Sequence, residues 1–245
     1  MHELLLYGQV PVTRYEQVLK ILTGVAAMQP RVFYERQLIY KPLRSSEEAK
    51  PNKRFPSKPV KPVPLAYHQV LESLVEDDFG KEIQSVALQS AQGNSEAVQR
   101  VTVKVLETPE PETKTFVLRP ANELDASQEL LQKLADPASY SFVTELFVEG
   151  HHLVHQNVLL TLSRMLKPDQ AEVVAPSTVL PAIESLKLLE PSGAFILEAR
   201  VRIEDRTKQS LLSSASDELN AFRDLMRGSV DMRVPDRLAL DTRVK

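Results

Sequence analysis

Strict alternation of apolar and polar residues is the feature that most constrains this chain. Between residues 194 and 205 the residues Phe195, Leu197, Ala199, Val201 and Ile203 fall on one face, and Glu198, Arg200, Arg202 and Glu204 on the other. A period of two puts alternate side chains on opposite faces of a strand. Val101, Val103 and Val105 repeat the pattern, as do Tyr140, Phe142, Thr144, Leu146 and Val148. Residues 2–10 and 31–40 are rich in apolar, aromatic and β-branched residues and read as strands. So do residues 83–90 and 115–118, the latter as the partner of 101–105 across an acidic, Pro-containing turn at 107–112. Residues 153–166 read as one more apolar strand interrupted at Asn157, and the tail 229–245 as a final strand or extended arm.

Helical spacing appears in few places. Thr13 and Glu16 have the form of a capping box ahead of Tyr15, Val18, Leu19, Leu22, Val25 and Ala26, a stripe that ends before Pro30. A short helix is expected near 66–75. Ser127 caps another, with Leu130, Leu131 and Leu134 inward. A third carries Leu211, Leu212, Ala215, Leu219, Phe222 and Met226 on one side and stops at Gly228. Eight or more strands with two or three helices predict a mainly β (α+β) fold, an antiparallel many-stranded β-barrel over residues 1–245. Residues 41–64, with six prolines and a basic cluster at Lys53, Arg54, Lys58 and Lys61, read as a disordered Pro/Lys-rich insertion.

Composition excludes several chemistries. The chain has no cysteine, so disulfides, thiolate nucleophiles and cysteine-ligated metals are absent. Its 245 residues carry a net charge of −3, which gives no global attraction to nucleic acid. Only 7 glycines occur, and neither G-x-x-x-x-G-K-[ST], G-x-G-x-x-G nor G-x-S-x-G is present. The N-terminus lacks the form of a secretory signal, and no apolar run is long enough for a membrane helix.

Two clusters test for catalysis. His151, His152 and His155 are close in sequence, but a zincin helix needs Glu where His152 stands. In a strand, His151 and His155 are roughly 13 Å apart. The second cluster is the charged face 198–204, which could line a barrel as triphosphate-hydrolysing tunnels do. Metal chelation there needs two carboxylates at i and i+2, and Arg200 follows Glu198. Glu145 and Glu149 are too far apart to chelate together. The expectation is a solvent-facing strand whose charges pair with its neighbours. No catalytic, cofactor or metal residue is assigned, and a metal-dependent triphosphate hydrolase or polyphosphate-binding barrel stands as the alternative.

The strings MHELLLYGQVP, LTGVAAMQP, FVEGHHLVHQNVLLTLSRML and DLMRGSVDMRVPDRLALDTRVK, in that order, resemble the fungal members of the Mediator complex subunit 18 family. Asp236-Arg237 and Leu240-Asp241-Thr242-Arg243 are the most distinctive part. The resemblance implies an antiparallel barrel distantly similar to RNA triphosphatase tunnels but without their catalytic residues. It implies a nuclear, non-catalytic subunit of the Mediator head that relays signals to RNA polymerase II. The implied partners are Mediator subunit 20, a related barrel, and the C-terminal helix of subunit 8. Partner contacts are expected at Phe142, Leu146, Val148, Arg237, Leu240, Asp241 and Arg243. A structural network closing the barrel is an equal reading of Asp236, Arg237, Asp241 and Arg243.

Overall fold

A computed structural model describes residues 1–43, 65–82, 101–111, 115–169 and 174–244. The strand expected at 83–90 and nearly all of the insertion at 41–64 lie outside these residues. The strands are β1 (His2–Val10), β2 (Arg31–Pro42), β3 (His68–Leu74), β4 (Val101–Leu106), β5 (Val117–Asp125), β6 (Tyr140–His155), β7 (Val158–Lys167), β8 (Lys187–Leu188) and β9 (Phe195–Ile203). The helices are α1 (Tyr15–Ala26), α2 (Gln128–Ala135) and α3 (Gln209–Leu225).

Eight strands close a ring in the order β6-β2-β3-β4-β5-β1-β9-β7, and β7 pairs back to β6. Every named pairing is antiparallel. Among the described residues, closure leaves no long strand edge unpaired around the ring, which a flat sheet of this length would expose. It also requires tight contact at Gly150, opposite Ser163. A Cβ on Gly150 would lie 2.3 Å from the Leu162 carbonyl oxygen.

The apolar faces point outward, beneath the helices. Leu4 and Leu6 of β1, Leu160 and Leu162 of β7, and Leu197 and Ala199 of β9 pack against Val18 and Leu22 of α1 and Leu219 and Phe222 of α3. On another flank, Leu131 and Leu134 of α2 cover Leu38, Val70, Val101 and Val103. A third cluster joins Leu74, Phe147 and Leu166 to Leu180. A fully buried Leu contributes about 1.5–3 kcal/mol relative to exposure, so the first two layers hold the helices on and the third holds the segment around Leu180. Polar residues are left to the lumen.

Local expectations fare unevenly. Ser127 does cap α2, its hydroxyl accepting from the Leu130 amide at 3.2 Å. Thr13 does not cap α1. It lies within a 3-10 turn, Val12–Arg14, and α1 begins without a side-chain cap. α1 ends at Ala26 because Ala27 turns left-handed (φ 51°), before Pro30 is reached. The stretch expected to be a short helix near 66–75 is β3, because Val70 and Leu74 alternate with exposed or lumen-facing residues between two partner strands. Residues 117–118 pair with β1 rather than β4, and β4 instead pairs with 121–125 farther along β5. Asn157 is not an interruption within a strand. It forms, with Gln156 at φ 54°, the hairpin between β6 and β7. Leu211 lies off the buried stripe of α3 and is 41% exposed.

A charged barrel lumen and a strapped mouth

The face Glu198, Arg200, Arg202 turns inward. This overturns the solvent-facing expectation: α3 and α1 occupy the outer side of β9, so its apolar residues go outward and its charges line the cavity. The cavity measures about 1250 Å³. Glu3 of β1 is completely buried at its wall. Four cations surround it: Arg200 at 3.1 Å, Arg202 at 3.2 Å, Lys104 at 3.5 Å and Arg119 at 3.7 Å. Register explains the convergence, because Glu3 pairs with Arg119 on one side and Arg202 on the other.

The electrostatics follow from that crowding. Burial opposes ionisation of Glu3, but the charges of Lys104, Arg200, Arg119 and Arg202 outweigh it and hold its carboxyl below the usual range. Burial lowers the proton affinity of Lys104 despite Glu3 beside it. Burial raises the Glu35 carboxyl in the same lumen, against a hydrogen bond donated by Gln37 Nε2 at 2.7 Å. Burial and the Glu198 carboxylate push the Tyr7 phenol up. Among the described residues no group of three His, Asp or Glu is placed to hold a metal ion.

The three histidines are on β6, a strand as expected, and the strand separates them. His151 meets the Tyr15 hydroxyl at 3.0 Å on the outer face. His155 lies near the Val25 carbonyl of α1 at 2.9 Å. His152 points into the lumen, stacked on Phe33 at 3.8 Å between ring centres and 3.1 Å from Thr161 Oγ1. Burial, then Arg200, Arg31 and His151, lower its pKa to about 4.

The expected partner residues fall into two places. Unbroken alternation would put Phe142, Leu146 and Val148 on one face of one strand. The register of β6 against β2 slips between Ile39 and Tyr40, where Val143 is the extra residue of a bulge. The slip resets the alternation. Phe142 packs outward on Tyr40 beside α2, whereas Leu146, opposite Gln37, and Val148, a lining residue, face the lumen. Glu145 and Phe147 take the outer face instead. Glu145 there grips Arg36 at 2.5 Å and accepts from the Ser177 amide and hydroxyl at 3.1 and 2.8 Å. Sequence periodicity had no signal for this buried network, because a bulge shifts parity without changing composition.

The tail residues do come together. After α3 the chain crosses Gly8, where a Cβ would lie 2.5 Å from Val230. Tyr7 and Arg233 exchange two backbone hydrogen bonds, of 3.0 and 2.7 Å. The tail thus takes the β1 edge beyond Leu5, where pairing with β5 has ended. A 3-10 turn, Arg237–Leu240, follows, capped by Asp236 through the Leu238 amide at 2.8 Å. Arg237 donates to the Pro109 carbonyl and Thr242 to the Leu106 carbonyl. Asp241 accepts from Thr108 at 3.1 Å and pairs with Arg243 at 2.7 Å. Leu240, half-buried, lines the same mouth. The tail is therefore an extended strap across one opening in which Asp236, Arg237, Asp241 and Arg243 each make a contact within the chain, while the Arg237 and Arg243 side chains keep an exposed side.

Comparison with known proteins bears on the whole of this architecture. The family model described as Med18 protein matches residues 2–243. The Mediator of RNA polymerase II transcription subunit 18 of Aspergillus fumigatus is 30% identical over 279 aligned residues, covering 100% of both chains. That of Aspergillus niger is 31% identical over 276, again covering 100% of both. A chain in the structure of the Schizosaccharomyces pombe Mediator head module superposes with a TM-score of 0.64 at 17% identity, over 96% of this chain and 99% of that one, a likeness of fold. The family match opens at the first residue of β1 and closes at Arg243 of the strap, so it takes in every strand of the barrel: this chain belongs to the Med18 protein family.

Proposed function

We propose that this protein is a non-catalytic subunit of the Mediator head in the nucleus, relaying regulatory signals to RNA polymerase II through protein contacts. The observation that carries the reading is the family match from residue 2 to residue 243, at full coverage of relatives named as Mediator subunit 18. The fold supports it. A closed barrel sheathed by helices is a rigid body suited to presenting surfaces, and binding then depends on a few buried anchors. The partners we infer are a second related barrel, Mediator subunit 20, and the C-terminal helix of subunit 8. Phe142, Arg237, Leu240 and Arg243 are the residues proposed to meet them. Leu146 and Val148 face the lumen and Asp241 is held within the strap, so these three act on partners only through the barrel itself.

The competing reading, a metal-dependent triphosphate hydrolase, is weakened by Glu3. The most buried carboxylate of the lumen is engaged by four cations and is in no position to ligate a metal as well. Co-expression with subunit 20 and the C-terminal segment of subunit 8, followed by size exclusion, tests the proposal. One co-eluting species is expected, and three separate elutions at micromolar concentration would overturn it.

A further inference from the structure

Thr108 sits where the strap meets the barrel. Its hydroxyl donates to Asp241 at 3.1 Å, between two flanking contacts: the Leu106 carbonyl accepts from Thr242 and the Pro109 carbonyl from Arg237. The backbone here is a short arch. The Glu107 amide donates to the Pro120 carbonyl at 3.2 Å and the Glu110 amide to the Leu118 carbonyl at 2.7 Å, so Thr108 and Pro109 stand between two tied residues. Thr108 is half-buried, with Asp241 of the strap on its hydroxyl. The sequence marks the same residue. Of the 17 prolines, Pro109 alone follows a serine or threonine. A proline directly after the acceptor hydroxyl is what one class of protein kinase requires. A charge added at Thr108 would meet an anion, because hydrogen bonds from the Arg243 side chain and amide hold the Asp241 carboxyl well below the usual carboxylate range.

We propose that Thr108 is a phosphorylation site for a proline-directed protein kinase, and that the phosphate releases the strap. The Thr108 Oγ attacks the γ-phosphorus of a nucleoside triphosphate held by the kinase. The bond from that phosphorus to the β–γ bridging oxygen breaks, the nucleoside diphosphate leaves, and the hydroxyl proton passes to the kinase. The product has no hydroxyl to donate to Asp241, and it carries about two negative charges beside that carboxylate. The cations close by are already engaged. Arg243 forks onto Asp241 through Nε at 2.8 Å and Nη2 at 2.7 Å, and Arg206 pairs with Glu110. A strap held by a few contacts near the end of the chain opens locally; the kinase acts on the open form and the phosphate prevents reseating. Release would alter the surface carrying Arg237, Leu240 and Arg243. That consequence rests on the scaffold reading above, whereas the site and the release do not.

The test uses the full chain, incubated with a proline-directed serine/threonine kinase, ATP and magnesium. One phosphate is expected, placed at Thr108 by fragmentation mass spectrometry and missing from Thr108→Val. Amide exchange at Tyr67, whose N–H donates to the Thr242 carbonyl at 3.1 Å, then reports on the strap. Thr108→Val loses the hydrogen bond to Asp241 without gaining charge, so it separates the two effects. Exchange at Tyr67 should be roughly tenfold faster in the phosphorylated chain than in Thr108→Val, as expected of two charges about 4 Å from a carboxylate in water. Exchange at Tyr7 should stay slow in both. A wild-type chain that takes no phosphate, or takes it only at other residues, overturns the site. Exchange at Tyr67 no faster in the phosphorylated chain than in Thr108→Val overturns the release.

Discussion

Arg36 and Glu145 form an ion pair across β2 and β6 in which the two side chains are 2% and 0% exposed. Glu72 adds a second carboxylate at 2.9 Å, and the guanidinium also donates to the Ser177 carbonyl at 2.6 Å. The group ties the segment at 174–180 to the barrel wall. Arg36→Ala would leave two carboxylates facing each other away from water. We expect a loss of about 3–5 kcal/mol, read as a lower denaturant midpoint. The triple replacement Arg36→Met, Glu72→Leu, Glu145→Leu should recover most of that loss, since a well-packed apolar substitute has no desolvation cost. A triple variant as unstable as the single one would show that the network does more than satisfy its own charges.

Gly150 is required by closure. Gly150→Ala puts a methyl group against the backbone of Leu162 and Ser163, which cannot give way as a flexible side chain can. A destabilisation of about 1–3 kcal/mol is expected, with amide exchange faster along Phe147–His155 of β6. Unchanged exchange would mean that the β6–β7 seam does not hold the ring closed.

The helices are held by few side chains. Phe222, 1% exposed, and Leu22, 0% exposed, sit in the same outer core. Phe222→Ala should cost about 3–5 kcal/mol and Leu22→Ala about 2–5 kcal/mol. A chemical melt distinguishes this from the neutral effect expected of Leu211→Ala on the exposed side of α3.

Acid sensitivity should come from histidine. The pKa of His152 is about 4 in the fold against 6.5 for the free side chain, and those of His68 and His151 are also lowered, chiefly by burial. Between these values the unfolded chain binds more protons, so stability rises with pH across that window. Stability is complete above about pH 6.5 and falls as pH drops toward 4. His152→Gln should flatten the slope between pH 6.5 and 4. An unaltered slope would assign the effect to His2, His68 and His151, all lowered chiefly by burial.

The strap is separable. Truncation after Pro235 removes the contacts of Arg237, Asp241 and Thr242 with Pro109, Thr108 and Leu106 while keeping the Tyr7–Arg233 bridge. Hydrogen exchange should quicken at Tyr67, whose amide donates to the Thr242 carbonyl, and stay slow at Tyr7. Loss of protection at Tyr7 would show that the strap folds as one unit with β1.

The sequence by itself determined the alternating strands β4 and β9, the apolar strand β1, the inward stripes of α1 and α2, and the barrel class, because apolar content and periods of two and 3.6 are written residue by residue. It also carried the family, in strings spread from β1 to Arg243. What only the tertiary structure decided is which side of each strand is the inside. Alternation says that two faces differ, not that helices will cover the apolar one and leave Glu198, Arg200 and Arg202 to the lumen. Nor could spacing reveal the bulge at Val143 that parts Phe142 from Leu146 and Val148, since register depends on the partner strand. Glu3 meets Lys104, Arg119, Arg200 and Arg202 across as many as 199 positions of sequence. Such a meeting is made by closing the ring, and no local pattern encodes it.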